Sequence, residues 1–228
     1  MNKNIEREID RRGITRLCHF TKTSKLLHIL RNESGIIANS YLDVQIDLLE
    51  KNDKNRYDGR EDYVCCSVEY PNTWYLRRIK DNDPIFNEWV VLLINPRLIL
   101  DDTTLFCHRN AAADYGAHIK SGESGFMGMF NNPVFGKTTI YRSDKMLACC
   151  PTDGQAEVLI HKNIPRSDII GIATPTKEHV FKMKAMISLL QDARQDINWI
   201  IAPELFDVKW NNIIRLGRRP METPYTEE

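Results

Sequence analysis

The run Gln155-Ala156-Glu157-Val158-Leu159-Ile160 passes from a turn, Pro151-Thr152-Asp153-Gly154, straight into an apolar strand, and Glu157 is the residue in it that asks for a chemical explanation. A carboxylate inside such a strand is costly unless partners hold it, and once held it is a candidate for electrostatic work at a reacting centre. Gln155 lies two residues earlier and shares its face at strand spacing. The plainer alternative is a glutamate on the solvent face of an edge strand, which alternation alone also allows.

Three further groupings carry donors, cations or rings. In Leu17-Cys18-His19-Phe20-Thr21 the imidazole and the hydroxyl stand two apart, so they share one face of a short strand while Phe20 turns to the core. That pair suits a ribose or an amide, although a satisfied histidine at a strand edge has the same pattern. Arg56, in Asn55-Arg56-Tyr57-Asp58-Gly59-Arg60 ahead of a core strand, offers the planar fork that phosphate recognition needs, or is a solvated cation. Trp74, Tyr75, Arg77 and Arg78 combine stacking surfaces with positive charge, as single-stranded nucleic acid requires and as an amphipathic core helix would also give. There is no P-loop, no G-x-S-x-G elbow and no H-E-x-x-H, and the six histidines are scattered, so no metal is expected. Cys107 and His108 are strand neighbours facing opposite ways, which argues against a catalytic dyad.

These groups need a scaffold. Thr23 or Ser24 can cap a helix carrying Leu26, Leu27 and Leu30, with Gly35 at its end. Residues 41–62 turn polar and acidic and predict a helix fragment followed by an exposed loop. Residues 63–69 and 88–95 read as buried strands bounded by turn residues, as do 155–161 and 168–174. Between them, residues 109–132 are rich in Ala, Ser and Gly and predict a short helix and then a mobile segment through Gly122, Gly125 and Gly128. A helix over 177–193 carries Val180, Met183, Ile187 and Leu190 in one stripe, and a last strand, 199–202, precedes a polar tail. Strands in the middle flanked by helices, without a repeat or a long linker, give a single α+β domain over residues 1–228.

Composition sets the outer limits. With 31 Lys plus Arg against 31 Asp plus Glu in 228 residues, the net charge is zero, which excludes a uniformly cationic coat or an acidic disordered tail protein. No apolar window is long enough to span a membrane and the first 16 residues hold no apolar signal core, so a cytoplasmic location is expected. Six cysteines in apolar contexts, two pairs of them adjacent, read as buried thiols. Within the first 31 residues, eight Lys or Arg (Lys3, Arg7, Arg11, Arg12, Arg16, Lys22, Lys25, Arg31) outnumber Glu6, Glu8 and Asp10, predicting a basic lip beside His19 or a solvated amphipathic helix.

Taken in order, HFT at 19–21, NRYDG at 55–59, CSVEYPN at 66–72, WVVLLINP at 89–96, FCHRNAA at 106–112 and QAEVLI at 155–160 resemble the DarT-like family of NAD-dependent ADP-ribosyltransferases that modify nucleobases. The resemblance covers residues 15–175 and is nearest to a shorter, guanine-directed branch, with Tyr70 where that branch has phenylalanine. It implies an ADP-ribosyltransferase-like fold with an NAD cleft between central sheets. It also implies His19 and Thr21 as NAD-binding residues, Arg56 as the arginine that holds the cofactor, Glu157 as the catalytic glutamate and Gln155 as the group facing the acceptor. A glutamine both donates and accepts, which suits a purine edge. The implied activity is transfer of ADP-ribose from NAD to a base of single-stranded DNA or RNA, placed by Gln155 and by stacking on Trp74 and Tyr75. Such an enzyme would act as the toxin of a toxin–antitoxin or phage-defence system, with an antitoxin protein as its partner. Protein ADP-ribosylation, NAD hydrolysis and an inactive binding module are the competing outcomes.

Overall fold

The computed structural model describes residues 2–42, 56–82, 88–190 and 192–227. Among the described residues, eleven strands and six α-helices follow one another as α1 (Lys3–Arg12), β1 (Leu17–Lys22), α2 (Thr23–Arg31), β2 (Ile36–Ile37), β3 (Tyr63–Val68), α3 (Thr73–Asn82), β4 (Trp89–Ile94), β5 (Leu105–Cys107), β6 (Ile119–Ser121), α4 (Gly122–Gly128), β7 (Glu157–His161), β8 (Asn163–Ile164), β9 (Ile169–Thr174), α5 (Lys177–Ser188), β10 (Asn198–Ile201), α6 (Trp210–Arg215) and β11 (Thr223–Pro224). Nine strands form one sheet in the order β11-β10-β9-β4-β1-β3-β7-β5-β6, and β2 pairs with β8 in a small second sheet. Mixed α and β with helices flanking a central sheet is the α+β class the sequence predicts.

The apolar runs become the middle of this sheet. Every residue of β4 is buried, and β4 lies between β1 and β9, both antiparallel to it. A run covered on both faces has no polar side to show, which is why WVVLLI does not alternate. The α5 stripe of Val180, Met183 and Ile187 is buried against this half of the sheet.

One seam decides where a ligand can enter. β1 pairs with β4 over six residues but with β3 over only two, Leu17 with Val68 and Cys18 with Ser67. Beyond Cys18 the two strands part. The sheet is therefore two blocks, β11-β10-β9-β4-β1 and β3-β7-β5-β6, joined at a short closed end and open beyond it.

Several expectations are corrected. The helix expected after Thr23 or Ser24 is α2; it begins at Thr23, but its N-cap is Lys22 and no side chain caps it, and it ends at Arg31, with Gly35 further on in a turn. Gly35 has φ +64°, and a Cβ there would lie 2.2 Å from the Ile164 carbonyl oxygen. The glycines 122, 125 and 128 belong to α4, a helix whose Phe126 is fully buried, so this segment is core and not a mobile ligand loop. The C-terminal stretch read as a polar tail forms α6 and β11 and is tied down by Arg16 to Glu222 and Arg219 to Glu69 ion pairs. The basic lip is largely consumed: Arg11 and Arg12 pair with Glu8, Arg12 also covers the Phe130 ring at 3.8 Å, and Arg16 is buried. The helix fragment expected within 41–62 falls mostly outside the described residues. All six cysteines are free thiols, five of them buried and Cys65 partly so.

Candidate active site

The parting of β1 from β3 opens a cavity of about 750 Å³ lined by His19, Thr21, Arg56, Trp74, Tyr75, Gln155 and Glu157 together. A space of that size matches what small-molecule sites enclose. Residues separated by more than 130 positions in the chain thus meet because β1, β3 and β7 are neighbours in the sheet.

His19 sits just past the last β1 to β3 backbone pair. Where the strands separate, its Nδ1–H donates to the Cys65 carbonyl at 2.8 Å, a side-chain bond in place of the missing backbone rung. A carbonyl can only accept, so the proton is on Nδ1 and the Nε2 lone pair remains as an acceptor. Burial, with Lys25 and Arg56 nearby, lowers the imidazole pKa to about 4 even though the Cys65 bond favours the charged form. The ring is neutral at physiological pH. Thr21 lies two residues on and is buried. Phe20 is half-buried: its ring packs against the core, meeting Tyr75 and Trp89 each at 6.0 Å between centroids, and also helps to wall the cavity.

Glu157 is the first residue of β7, which runs in the interior of the sheet between β3 and β5, so the edge-strand alternative is removed. It pairs with Cys107 and accepts from the Ala111 N–H at 3.0 Å and from Asn110 Nδ2 at 3.3 Å. These two donors fix the carboxylate from the side of the FCHRNAA segment. Gln155 lies before the strand begins, its backbone N–H held by Asp153 Oδ1 at 2.9 Å.

Arg56 is brought to the cavity but is committed to its neighbours. Its Nε and Nη2 donate to the two oxygens of Asp58 at 3.0 and 2.7 Å, and Nη1 donates to the Tyr63 carbonyl at 2.8 Å. With side chains 8% and 4% exposed, this is a buried, two-pronged pair, and the guanidinium arrives with its charge already balanced. Sequence reasoning did not foresee Asp58 in this role. The signal was present in Arg-x-Asp, since a two-residue spacing lets a turn fold the carboxylate back on the fork.

Other polar residues stand at the cavity; Lys25 comes from the basic stretch expected beside His19, while Arg109 and Asp153 were missed. Lys25, Arg109 and Asp153 line it, and the last two are buried. Burial pushes the Asp153 carboxyl up, opposed by the Gln155 N–H and by Arg109. The Arg109 guanidinium lies over Gly136, its Nη1 1.2 Å from where a Cβ would stand, so a side chain there would displace it. Trp74 is 38% exposed at the rim and meets Trp210 edge-on at 6.2 Å. Among the described residues no cluster of three metal-ligating side chains occurs, and no helix is long and apolar enough to cross a membrane.

The cleft opened within the sheet thus carries a neutral histidine on one lip and a tethered carboxylate heading a strand on the other. The profile of one family, described as "ssDNA thymidine ADP-ribosyltransferase, DarT", matches residues 18–207, and the chain belongs to that family. Solved structures agree on the fold. The Thermosipho africanus DarTG structure in complex with ADP-ribose superposes with a TM-score of 0.58 at 15% identity, over 84% of this chain and 51% of that one. The present chain therefore spans about half of that DarTG chain. Thermus sp. 2.9 DarT in complex with ADP-ribosylated ssDNA gives 0.55 at 16% identity, over 85% of this chain and 97% of the other. The same protein with NAD+ gives 0.53 at 16% identity over 84% and 97%. No match was found among curated proteins.

Proposed function

We propose that this protein transfers ADP-ribose from NAD to a base of single-stranded DNA, as the toxin of a toxin–antitoxin pair. The observation that carries the reading is the single cavity in which His19, Arg56 and Glu157 meet across the parted strands. It accords with the family to which the chain belongs and with the ligands of the Thermus and Thermosipho proteins.

Breaking the bond between nicotinamide and C1 of the ribose develops positive charge on the sugar, as in glycoside cleavage. Glu157, already held by Asn110 and Ala111, accepts the ribose 2′-hydroxyl and faces that charge without having to reorganise. Neutral His19 accepts a ribose hydroxyl at Nε2, and Thr21 adds a second anchor on the same lip. The Arg56–Asp58 pair, being charge-balanced, contributes direction to the pyrophosphate more than attraction. Lys25 is a second cation on the cavity wall.

The acceptor base must be unpaired to reach C1, and it stacks on Trp74 and Tyr75. Gln155 offers one donor and one acceptor, which complements a ring N–H beside a carbonyl. Thymine and guanine share that edge, whereas adenine and cytosine lack it. This accommodates both the guanine-directed resemblance and the thymidine named for the family. The test is incubation with NAD and homopolymer or mixed oligonucleotides of DNA and RNA, followed by digestion and mass spectrometry of nucleosides. A thymidine or deoxyguanosine heavier by one ADP-ribose, absent with Glu157→Gln, is expected. Nicotinamide release with no modified nucleoside would assign NAD hydrolysis instead; modified RNA or modified protein would replace the acceptor.

A further inference from the structure

At the closed end of the cleft one polar group lacks a partner. Asn72 is 3% exposed and lines the cavity, yet its Nδ2 has no hydrogen-bond acceptor among the described residues. The rest of the residue is fully engaged. Its backbone N–H donates to Ser67 Oγ at 3.2 Å, and its Oδ1 caps α3 by accepting from the Tyr75 N–H at 3.2 Å. The cap fixes which way the amide faces, because Oδ1 is held at the helix and Nδ2 must point away from it. Ser67 belongs to the last pair joining β3 to β1, so the unpaired N–H₂ stands where the two blocks of the sheet converge.

A buried amide donor left without a partner is destabilising in the free protein and is satisfied when a ligand brings an acceptor. We propose that Asn72 is a substrate-binding residue whose Nδ2 donates to the carboxamide oxygen of the nicotinamide ring of NAD. The inference rests on the reading of this cleft as an NAD site and adds the recognition of its leaving group. Depth favours nicotinamide over the acceptor base. A base on a polymer keeps its backbone in solvent and enters from the mouth, whereas the group at the junction of the strands is the one most completely enclosed.

The test compares ligands that carry or lack nicotinamide. Asn72→Ser keeps a capping hydroxyl and removes the amide donor; Asn72→Asp keeps the cap and the shape but exchanges donor for acceptor. Calorimetric titration of each with a non-hydrolysable NAD analogue and with ADP-ribose, and product inhibition by free nicotinamide, should separate the two halves of the ligand. The expected result is about tenfold weaker binding of the analogue and of nicotinamide in both variants, with ADP-ribose within twofold of wild type, since one neutral hydrogen bond is lost. Equal weakening of the analogue and ADP-ribose would show a folding or capping effect and overturn the inference. So would unchanged nicotinamide inhibition with a raised KM for the oligonucleotide, which would move Nδ2 to a base carbonyl. A wild-type protein that binds neither ligand would remove the NAD reading itself, and this inference with it.

Discussion

Replacing His19 by asparagine puts a number on the neutral histidine at the seam. Asparagine Nδ2 occupies nearly the position of imidazole Nδ1 and can keep the bond to the Cys65 carbonyl, but it cannot titrate. In the folded wild type the imidazole pKa falls from 6.5 to about 4, first because of burial. The unfolded chain therefore takes up this proton at higher pH than the native state does. Stability is fully present above pH 6.5 and is lost as pH falls towards 4, with no further loss from this group below that. Between pH 7 and pH 5 the linkage integral for one site shifted in this way is about 2 kcal/mol. Urea unfolding of wild type and His19→Asn at both pH values isolates it, because His108 and His179, whose pKa values are also lowered by burial, are common to both proteins. The wild type should lose about 2 kcal/mol more than the variant across that interval. Equal losses would mean that the ring is not held neutral, and its role as a hydroxyl acceptor would fall with that.

Other perturbations follow from the same geometry. Glu157→Gln, which keeps the size but turns one of the two accepting oxygens into a donor and loses the charge facing C1, should lower kcat by roughly a hundredfold to a thousandfold while NAD binding persists, read by nicotinamide release and calorimetry. Asp58→Ala leaves the Arg56 guanidinium buried without its carboxylate and should destabilise by about 3–5 kcal/mol in chemical unfolding, whereas a surface ion pair such as Lys182 with Glu88 would cost under about 1 kcal/mol. Gly35→Ala combines a left-handed φ with a Cβ driven into the Ile164 carbonyl, so Tm should fall by several degrees in thermal unfolding.

The strands were legible because their apolar runs are bounded by turn residues: 63–69, 88–95, 155–161 and 168–174 each become a strand within a residue or two, and β4 is buried at every position. The helix over 177–193 stops at Ser188, and the packing of Leu190 against the core continues its stripe without helical backbone. Short elements were not legible. β5, β6 and β11 have three residues or fewer, too little for a period to show, and are held by register with a neighbour. In the site, His19 and Glu157 were findable since each is a polar residue in an apolar strand; Gln155 reaches the cavity from the turn before β7, so the strand spacing that drew notice to it does not hold there. Asn110 and Asn72 were not findable, because their roles depend on which groups they face across the fold, and a sequence records neighbours along one line only, whereas Asp58 stands two residues from its partner and was within reach of the sequence. The positive N-terminal stretch misled for the opposite reason: Glu8 sits three and four residues before Arg11 and Arg12, a spacing that neutralises charge locally.

The seam between β1 and β3 also bears on how this molecule should respond to force and to solvent. Two residue pairs clasp the blocks, so amide protons near Leu17, Cys18, Ser67 and Val68 report on a hinge as much as on a strand. A dinucleotide lying across the gap would act as a bolt through both plates. Its hydroxyls and amide would supply the rungs that the peptide omits, and the exchange of those protons would slow on loading by more than that of the already complete β4 to β9 ladder.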